Sequence, residues 1–243
     1  RYTWVMDLEL TINPVGGRAP TRARAAADSA GQFGGPYRAP TPDDLEVSAF
    51  DAGELRAAML RPHRMIELVL VERARLSKTV ADGTQLATLA ALMVHATALL
   101  SLPLGALLGG VQLWKVAALL LGSLFICFPS LHVFSSYLGC RMTVLQSLVL
   151  ALVLTAVASM FAFGFAPIVW FVGVSTAPGS STPGRVTAVL LCVSLAAGMI
   201  HLTRCVMGDA ALRPSGSYRA LMLVWQSLFA FVAYHMAQLL GLL

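Results

Sequence analysis

Long apolar runs in the last two thirds of the chain predict helices that cross a membrane. Five such segments follow residue 83, namely 84–108, 111–138, 143–163, 185–207 and 219–243. Each contains the roughly 20 residues that a helix needs to cross a hydrocarbon core of about 30 Å. A shorter apolar piece, 168–174, follows Pro167, and it either extends the third helix past a kink or lies at the membrane interface. The pattern predicts an all-α polytopic bundle of five transmembrane helices, residues 83–243.

The segment before the first span mixes apolar and charged residues and predicts a helix at the membrane surface. Asp51 is a suitable N-cap, Glu54 follows three residues later, and Pro62 divides the element. Beyond Pro62 the segment is too charged to span a membrane and too apolar to remain in water. We interpret residues 51–82 as an amphipathic interfacial helix. Residues 1–50, punctuated by Gly and Pro, are expected to form a disordered cytoplasmic tail.

Charge divides the chain as sharply as hydropathy does. Residues 84–243 carry one acidic side chain, Asp209, and six basic ones, whereas residues 1–83 carry 11 acidic and 11 basic side chains. Because a charge at the bilayer centre costs roughly 2.5–3.5 kcal/mol on insertion scales, this distribution is typical of a membrane protein with a polar N-terminal part. The basic surplus lies at the ends of apolar runs, so we interpret it as topology and lipid contact and expect no nucleic-acid partner.

The basic residues also predict the orientation of the spans. Those expected at the cytoplasmic ends are Arg64, Arg73, Arg75, Lys78, Arg141, Arg204, Arg213 and Arg219. Only Lys115 and Arg185 fall on the opposite side. Since cytoplasmic loops carry an excess of Lys and Arg, we expect a cytoplasmic N-terminus and an external C-terminus.

Signatures of catalysis are missing from the sequence. It contains no P-loop, no HExxH, no GxSxG and no GxGxxG after a strand. Asp209 is the only carboxylate beyond Asp82, which excludes a pair of intramembrane aspartates. The four cysteines form no CxxC pair and are interpreted as packing residues: Cys127, Cys140, Cys192 and Cys205. We therefore predict no enzymatic activity, no catalytic residue and no metal site.

Histidine is the one ionisable residue type well inside the predicted spans, at His95, His132, His201 and His235. Ligation of haem, chlorophyll or a metal, or a proton relay, is the functional interpretation. At 1.5 Å per residue, only His132 and His201 share a depth, roughly 8–11 Å from the cytoplasmic edge, which makes them the only candidate cofactor pair. We favour the alternative that each histidine is neutral and hydrogen-bonds a neighbouring helix or a lipid carbonyl, with no cofactor.

Small residues and prolines mark expected sites of packing and bending. Three pairs of small residues stand four positions apart, as where helices approach closely: Gly105 and Gly109, Ser135 and Gly139, Ser194 and Gly198. Pro129 removes a backbone donor within the second span and frees the carbonyl near Phe125, and Ser130 is placed to help. Pro167 marks a second such site at the end of the third segment.

Several short motifs occur in order along residues 55–243. They are Arg61-Pro62 before the first span, a short loop leading to Lys115, the string Phe128-Pro129-Ser130-Leu131-His132-Val133-Phe134, the turn at 139–141, and Phe165-Ala166-Pro167. Together they resemble the Yip family of five-span membrane proteins, specifically its bacterial branch of unassigned function, which implies a location in a bacterial inner membrane. In eukaryotes that family has membrane-organising and small-GTPase-binding roles, so the resemblance implies an organiser rather than an enzyme, by analogy of fold.

Three classes of function are consistent with these features. The first is a non-enzymatic Yip-like scaffold that associates with itself or with other membrane proteins. The second is an accessory structural subunit of a larger energy-converting or photosynthetic complex, and the third is a small transporter or cofactor carrier that uses the intramembrane histidines. Four histidines and scattered hydroxyls offer few groups to line a polar path, which favours the first two classes.

Overall fold

The fold is given by a computed structural model, which describes residues 48–108, 113–137, 142–177, 182–208 and 216–242. Regular structure in these ranges is helical throughout, and it comprises α1 (Ala52–Met59), α2 (Pro62–Leu70), α3 (Arg73–Asp82), α4 (Leu86–Leu107), α5 (Lys115–Tyr137), α6 (Val144–Ser175), α7 (Thr182–Gly208) and α8 (Gly216–Leu239). The predicted all-α class is confirmed. The predicted tail falls almost entirely on residues 1–47, outside the described ranges.

Helices α4 to α8 are each long and apolar enough to cross a membrane. The chain is therefore an integral membrane protein with five candidate spans, as the apolar segments predict. The third of them, α6, continues through Pro167 to Ser175, so the apolar piece at 168–174 extends the third helix. With 32 residues α6 is about 48 Å long, well beyond the roughly 30 Å of a hydrocarbon core.

The segment before the first span consists of three short helices, α1 to α3, which we call the cap. The division at Pro62 was predicted, whereas the second break, at Val71 and Glu72, was not. Apolar side chains of the cap are buried against the ends of α4, α6 and α7: Leu55, Ala58, Met65, Leu68, Val69, Leu76 and Val80. The amphipathic pattern of residues 51–82 is thus satisfied by packing on the spans, and its charged face is exposed.

Helix α6 is the centre of the bundle. It packs along α4 and α7, and it also contacts α5 and the cap. Its residues 149–160 are all buried, so more than three turns are covered by protein on every side. Helix α8 packs mainly on α5 and has only a small contact with α7, which leaves a gap between the fourth and fifth spans.

Hydroxyl contacts fix the relative heights of the spans. Thr97 Oγ1 donates to Thr155 Oγ1 (3.3 Å), and Ser159 Oγ donates to the Ala96 carbonyl (3.4 Å), so residues of α4 are level with residues of α6 about 60 positions later. Gln146 Nε2, at the start of α6, donates to the Val80 carbonyl just before α4, so the two helices run parallel. The end of α4 at Leu107 is therefore level with about residue 167 of α6. Helix α6 extends roughly 12 Å beyond α4 on the far side, which we define as the side opposite the cap.

A reporter that is active only outside the cytoplasm tests the predicted orientation. We expect activity when it is fused after Leu243 or within residues 175–182, and silence when it is fused after Cys140 or at Leu212. The reason is the excess of basic residues on the cap side of the bundle. Activity after Cys140 would show the opposite topology and contradict the orientation predicted from the basic residues.

Candidate functional site on the first span

The two histidines considered as a cofactor pair lie in different surroundings. His132 on α5 stacks on Phe128, with ring centroids 6.4 Å apart. His201 on α7 lies beside the Val69 backbone and Arg73 of the cap. Helices α5 and α7 share no extended contact, so the structure does not place these imidazoles on packed, facing helices. In the described ranges no cluster of three His, Cys, Asp or Glu residues is placed to hold a metal ion, and the absence of a cofactor stays a prediction.

The small residues chosen from the sequence have two different roles. A Cβ atom at Gly198 would lie 2.5 Å from the Leu154 carbonyl oxygen, which shows that the backbones of α6 and α7 are in contact there. A Cβ atom at Gly105 would collide with the carbonyl oxygen of Leu113, so this glycine admits the chain's own connection to α5. Ser135 and Ser194 are buried, and their hydroxyls donate to carbonyls of their own helices.

Around Pro129 the polar contacts converge on the carbonyl of Cys127. Ser130 Oγ donates to this oxygen at 2.7 Å, and the indole Nε1 of Trp225 on α8 donates to it at 3.0 Å. Trp225 is almost fully buried. The carbonyl engaged by Ser130 is thus that of Cys127, whereas the sequence argument pointed to the neighbourhood of Phe125. Trp225 was not anticipated, because its partner lies 98 positions away in the chain.

Among the basic residues that are expected at the cytoplasmic ends of the spans, Arg75 has a structural role. Its Nη1 and Nη2 atoms bind both carboxylate oxygens of Glu54 (3.0 and 2.8 Å), and Nη1 also binds Glu72 (2.6 Å). Its guanidinium lies 4.3 Å over the Phe50 ring, and Nε donates to the Ser48 carbonyl. The hydrogen bond to Glu54 is the largest cause that raises the pKa of Arg75, which keeps it charged. Arg75 therefore joins α1, α3 and residues 48–50.

The other basic residues of this set make fewer contacts or lie outside the described side chains. Arg64 forms only an exposed ion pair with Glu67 at 2.9 Å, and Arg204 is exposed. Several chosen positions lie outside the described ranges: Gly109, Gly139, Arg141 and Arg213. Of Arg219 only the helical backbone is described. Pro167 lies within α6.

One face of α4 combines small residues with an exposed imidazole. Its members repeat every three or four positions, as residues on a single helix face do. They are Ala87, Ala91, His95, Ala98, Leu102 and Ala106, which we call the His95 face. All six are at least partly exposed, whereas the opposite side of α4 is buried against the rest of the bundle.

His95 is the histidine that lies at mid-depth on a lipid-facing surface. It stands nine residues, about 14 Å, from the cap end of α4, close to the middle of the span. Within the described ranges its side chain makes no hydrogen bond to the protein. His235 is also exposed, but it lies only four residues from the end of α8 and contacts the rings of Phe231 and Tyr234. Water is thus within reach of His235 and not of His95.

The fold and this surface define a polytopic membrane protein with a candidate site for lateral association. Comparison of the chain with protein-family models, with curated proteins and with solved structures finds no match. The resemblance to the Yip family therefore stays a prediction from its motifs.

Proposed function

We propose that the protein is a non-enzymatic scaffold of Yip-like type in a bacterial inner membrane, which associates laterally with membrane proteins through the His95 face. The observation that carries this proposal is the exposed, unbonded imidazole at the middle of the first span. An imidazole N–H in hydrocarbon loses its hydrogen bonds to water, and buried polar groups in membranes almost always face a protein partner.

The neighbours of His95 fit a helix as the partner. Four alanines surround it on the same face and allow a second helix to approach closely, because contact between backbones is the main attraction between helices in lipid. Lipid carbonyls offer an alternative acceptor only near the headgroups, roughly 15 Å from the bilayer centre. A partner helix supplies both the close packing and the hydrogen bond that this position lacks.

Replacement of His95 by Leu is the direct test of this function. The variant loses the interhelical hydrogen bond, worth about 1–2 kcal/mol, which corresponds to a dissociation constant roughly 5–30 times larger. Leu is easily accommodated in lipid, so the variant is expected to insert and fold normally. Self-association is measured by energy transfer between labelled copies in vesicles, and association with other proteins by co-purification from native membranes in mild detergent.

His235→Leu is the matched control, because it makes the same chemical change at an exposed position near the end of a span. We expect it to keep wild-type association in both measurements. If His95→Leu and His235→Leu both associate like the wild-type protein, the His95 face is not an interface. If only co-purification is lost, the partner is another membrane protein, and its identity separates a general organiser from a subunit of one complex.

A further inference from the structure

A second feature of the bundle, separate from the His95 face, is an open groove between α7 and α8, which no residue of α4 lines. Its volume is about 250 Å³. Its walls consist largely of small residues of the two helices, including Ala188, Ala196, Ala230 and Ala237, and Leu119 of α5 contributes to its lining. Cys192 is exposed on the α7 wall. The groove has almost no polar lining apart from Tyr234 at its α8 edge.

The groove has the depth of one leaflet of a bilayer. Gly198 of α7 packs at Leu154 and Ala158 of α6, so the level of Leu107, where α4 ends, corresponds to about residue 187 of α7. The lining on α7 runs from Ala188 to Met199, about 16 Å along the axis, compared with roughly 15 Å for half of a hydrocarbon core. It therefore runs from the far surface of the membrane to its midplane.

A polar contact marks the inner end of the groove. Gln226 of α8 is buried, and its Nε2 atom donates to the Met199 carbonyl (3.2 Å) and to Thr203 Oγ1 (3.0 Å), both on α7. This contact holds the fourth and fifth spans together on the cap side, so that the groove widens only towards the far side. An occupant must enter from the far leaflet or from the lipid beside it.

The size of the groove decides what kind of molecule fits. An apolar cavity of about 150 Å³ accommodates benzene, so 250 Å³ accommodates a longer stretch of hydrocarbon. A transmembrane helix, with a diameter of about 10–12 Å including its side chains, does not fit. Part of a single acyl chain fits in this volume, with the rest of the chain in the lipid at the open side, and the groove has the length of one leaflet.

Two cations stand at the far end of the groove. Lys115 lies one helical turn beyond Leu119 on α5, and Arg185 lies one turn beyond Ala188 on α7, so each shares a face with a lining residue. Lys115 Nζ donates to the Leu240 carbonyl, which leaves further N–H groups for an anion. In the part of the chain that the structure describes, the acidic side chains all lie within residues 51–82, in or beside the cap at the other end of the spans, so none of them neutralises these two cations.

From the groove and these cations we infer a binding site for one glycerophospholipid of the far leaflet. One acyl chain lies between α7 and α8, and the phosphate lies at Lys115 and Arg185. The neutral tail and the anionic headgroup match the apolar walls and the basic mouth of the groove.

Native mass spectrometry of the purified full chain, titrated with dioleoyl phosphatidylglycerol or with diolein, tests this site. The wild-type protein is expected to bind one phosphatidylglycerol with several-fold preference over diolein, which lacks the phosphate. Ala196→Phe fills the groove from an exposed wall position and is expected to weaken binding about tenfold or more, because buried methylene contacts are lost. Arg185→Gln is expected to reduce the preference for the anionic lipid while diolein binding is unchanged.

Val189→Phe is the matched control, since Val189 is exposed on α7 and does not line the groove. It should bind phosphatidylglycerol like the wild-type protein. Equal binding by Ala196→Phe and wild type overturns the site, as does saturation by lipid with no step at one molecule. Binding of glycerol phosphate alone as tightly as the whole lipid would assign the site to a free phosphate and overturn the role of the acyl chain. None of these outcomes depends on association through His95.

Discussion

Replacement of Gly198 by Ala is expected to weaken the contact between the third and fourth spans and to lower the free energy of unfolding. The added Cβ would lie 2.5 Å from the Leu154 carbonyl oxygen and 3.4 Å from the Ala158 Cβ. A backbone oxygen in a central helix cannot move aside, so α6 and α7 must separate. Overpacking of this kind costs about 1–3 kcal/mol.

Gly164→Ala is the control for Gly198→Ala, because both changes add one methyl group to a transmembrane helix. A Cβ at Gly164 would meet no atom within 4 Å, so only the better helix propensity of Ala remains, worth up to about 1 kcal/mol in favour of the variant. Because both variants gain this propensity, it cancels between them, and reversible unfolding in mixed micelles should separate the two variants by about 1–3 kcal/mol. Equal stabilities would mean that α6 and α7 are not in backbone contact at Gly198.

Arg75→Ala is expected to release the cap from its packed arrangement. The change removes the paired hydrogen bonds to Glu54, the hydrogen bond to Glu72 and the stacking on Phe50, and it leaves two carboxylates without their shared cation. Charged hydrogen bonds in partly exposed positions contribute less than buried ones, so we expect a loss of about 1–2 kcal/mol. Faster hydrogen exchange in residues 48–82, with unchanged exchange in α6, is the measurement.

Two further variants separate the hydrogen bonds of Arg75 from its positive charge. Arg75→Lys keeps the positive charge but loses the planar fork that binds Glu54, so it should show most of the loosening with the same orientation in the membrane. Arg64→Ala removes an exposed ion pair of little energetic value and should leave exchange unchanged. If Arg64→Ala and Arg75→Ala loosen the cap equally, the role of Arg75 as a joint between α1 and α3 is wrong.

Hydropathy predicted the spans because their lengths and composition are local properties of the chain. The sequence does not decide the length of α6, because Gly164 and Pro167 are compatible both with the end of the helix and with its continuation. The break between α2 and α3 has no Pro or Gly to mark it. The sequence Thr143-x-x-Gln146 did carry a usable signal: Thr143 and Gln146 form a capping box at the start of α6, and Gln146 Nε2 also donates to the Val80 carbonyl of the cap.

The sequence did not single out the His95 face as a site. The depth of His95 follows from counting residues along a helix, but the span is apolar on all sides, so the pattern does not tell which side the bundle covers. Long-range contacts could not be predicted for the same reason. The hydrogen bonds from Trp225 to Cys127 and from Gln226 to Thr203 depend on which helices become neighbours. Only the fold provides that information.

The burial of α6 has a consequence for how the protein is made. Its most apolar stretch has a mean hydropathy of 2.4, against 1.5–2.0 for the other spans, yet 72% of that stretch is covered by protein, against 28–50% elsewhere. Exposure to lipid in the folded bundle therefore does not explain the high hydropathy of α6. A newly inserted helix, in contrast, stands alone in the bilayer before its neighbours pack around it. The composition of α6 thus fits its insertion into the membrane, because this helix contacts lipid until α7 has been synthesised and packs against it.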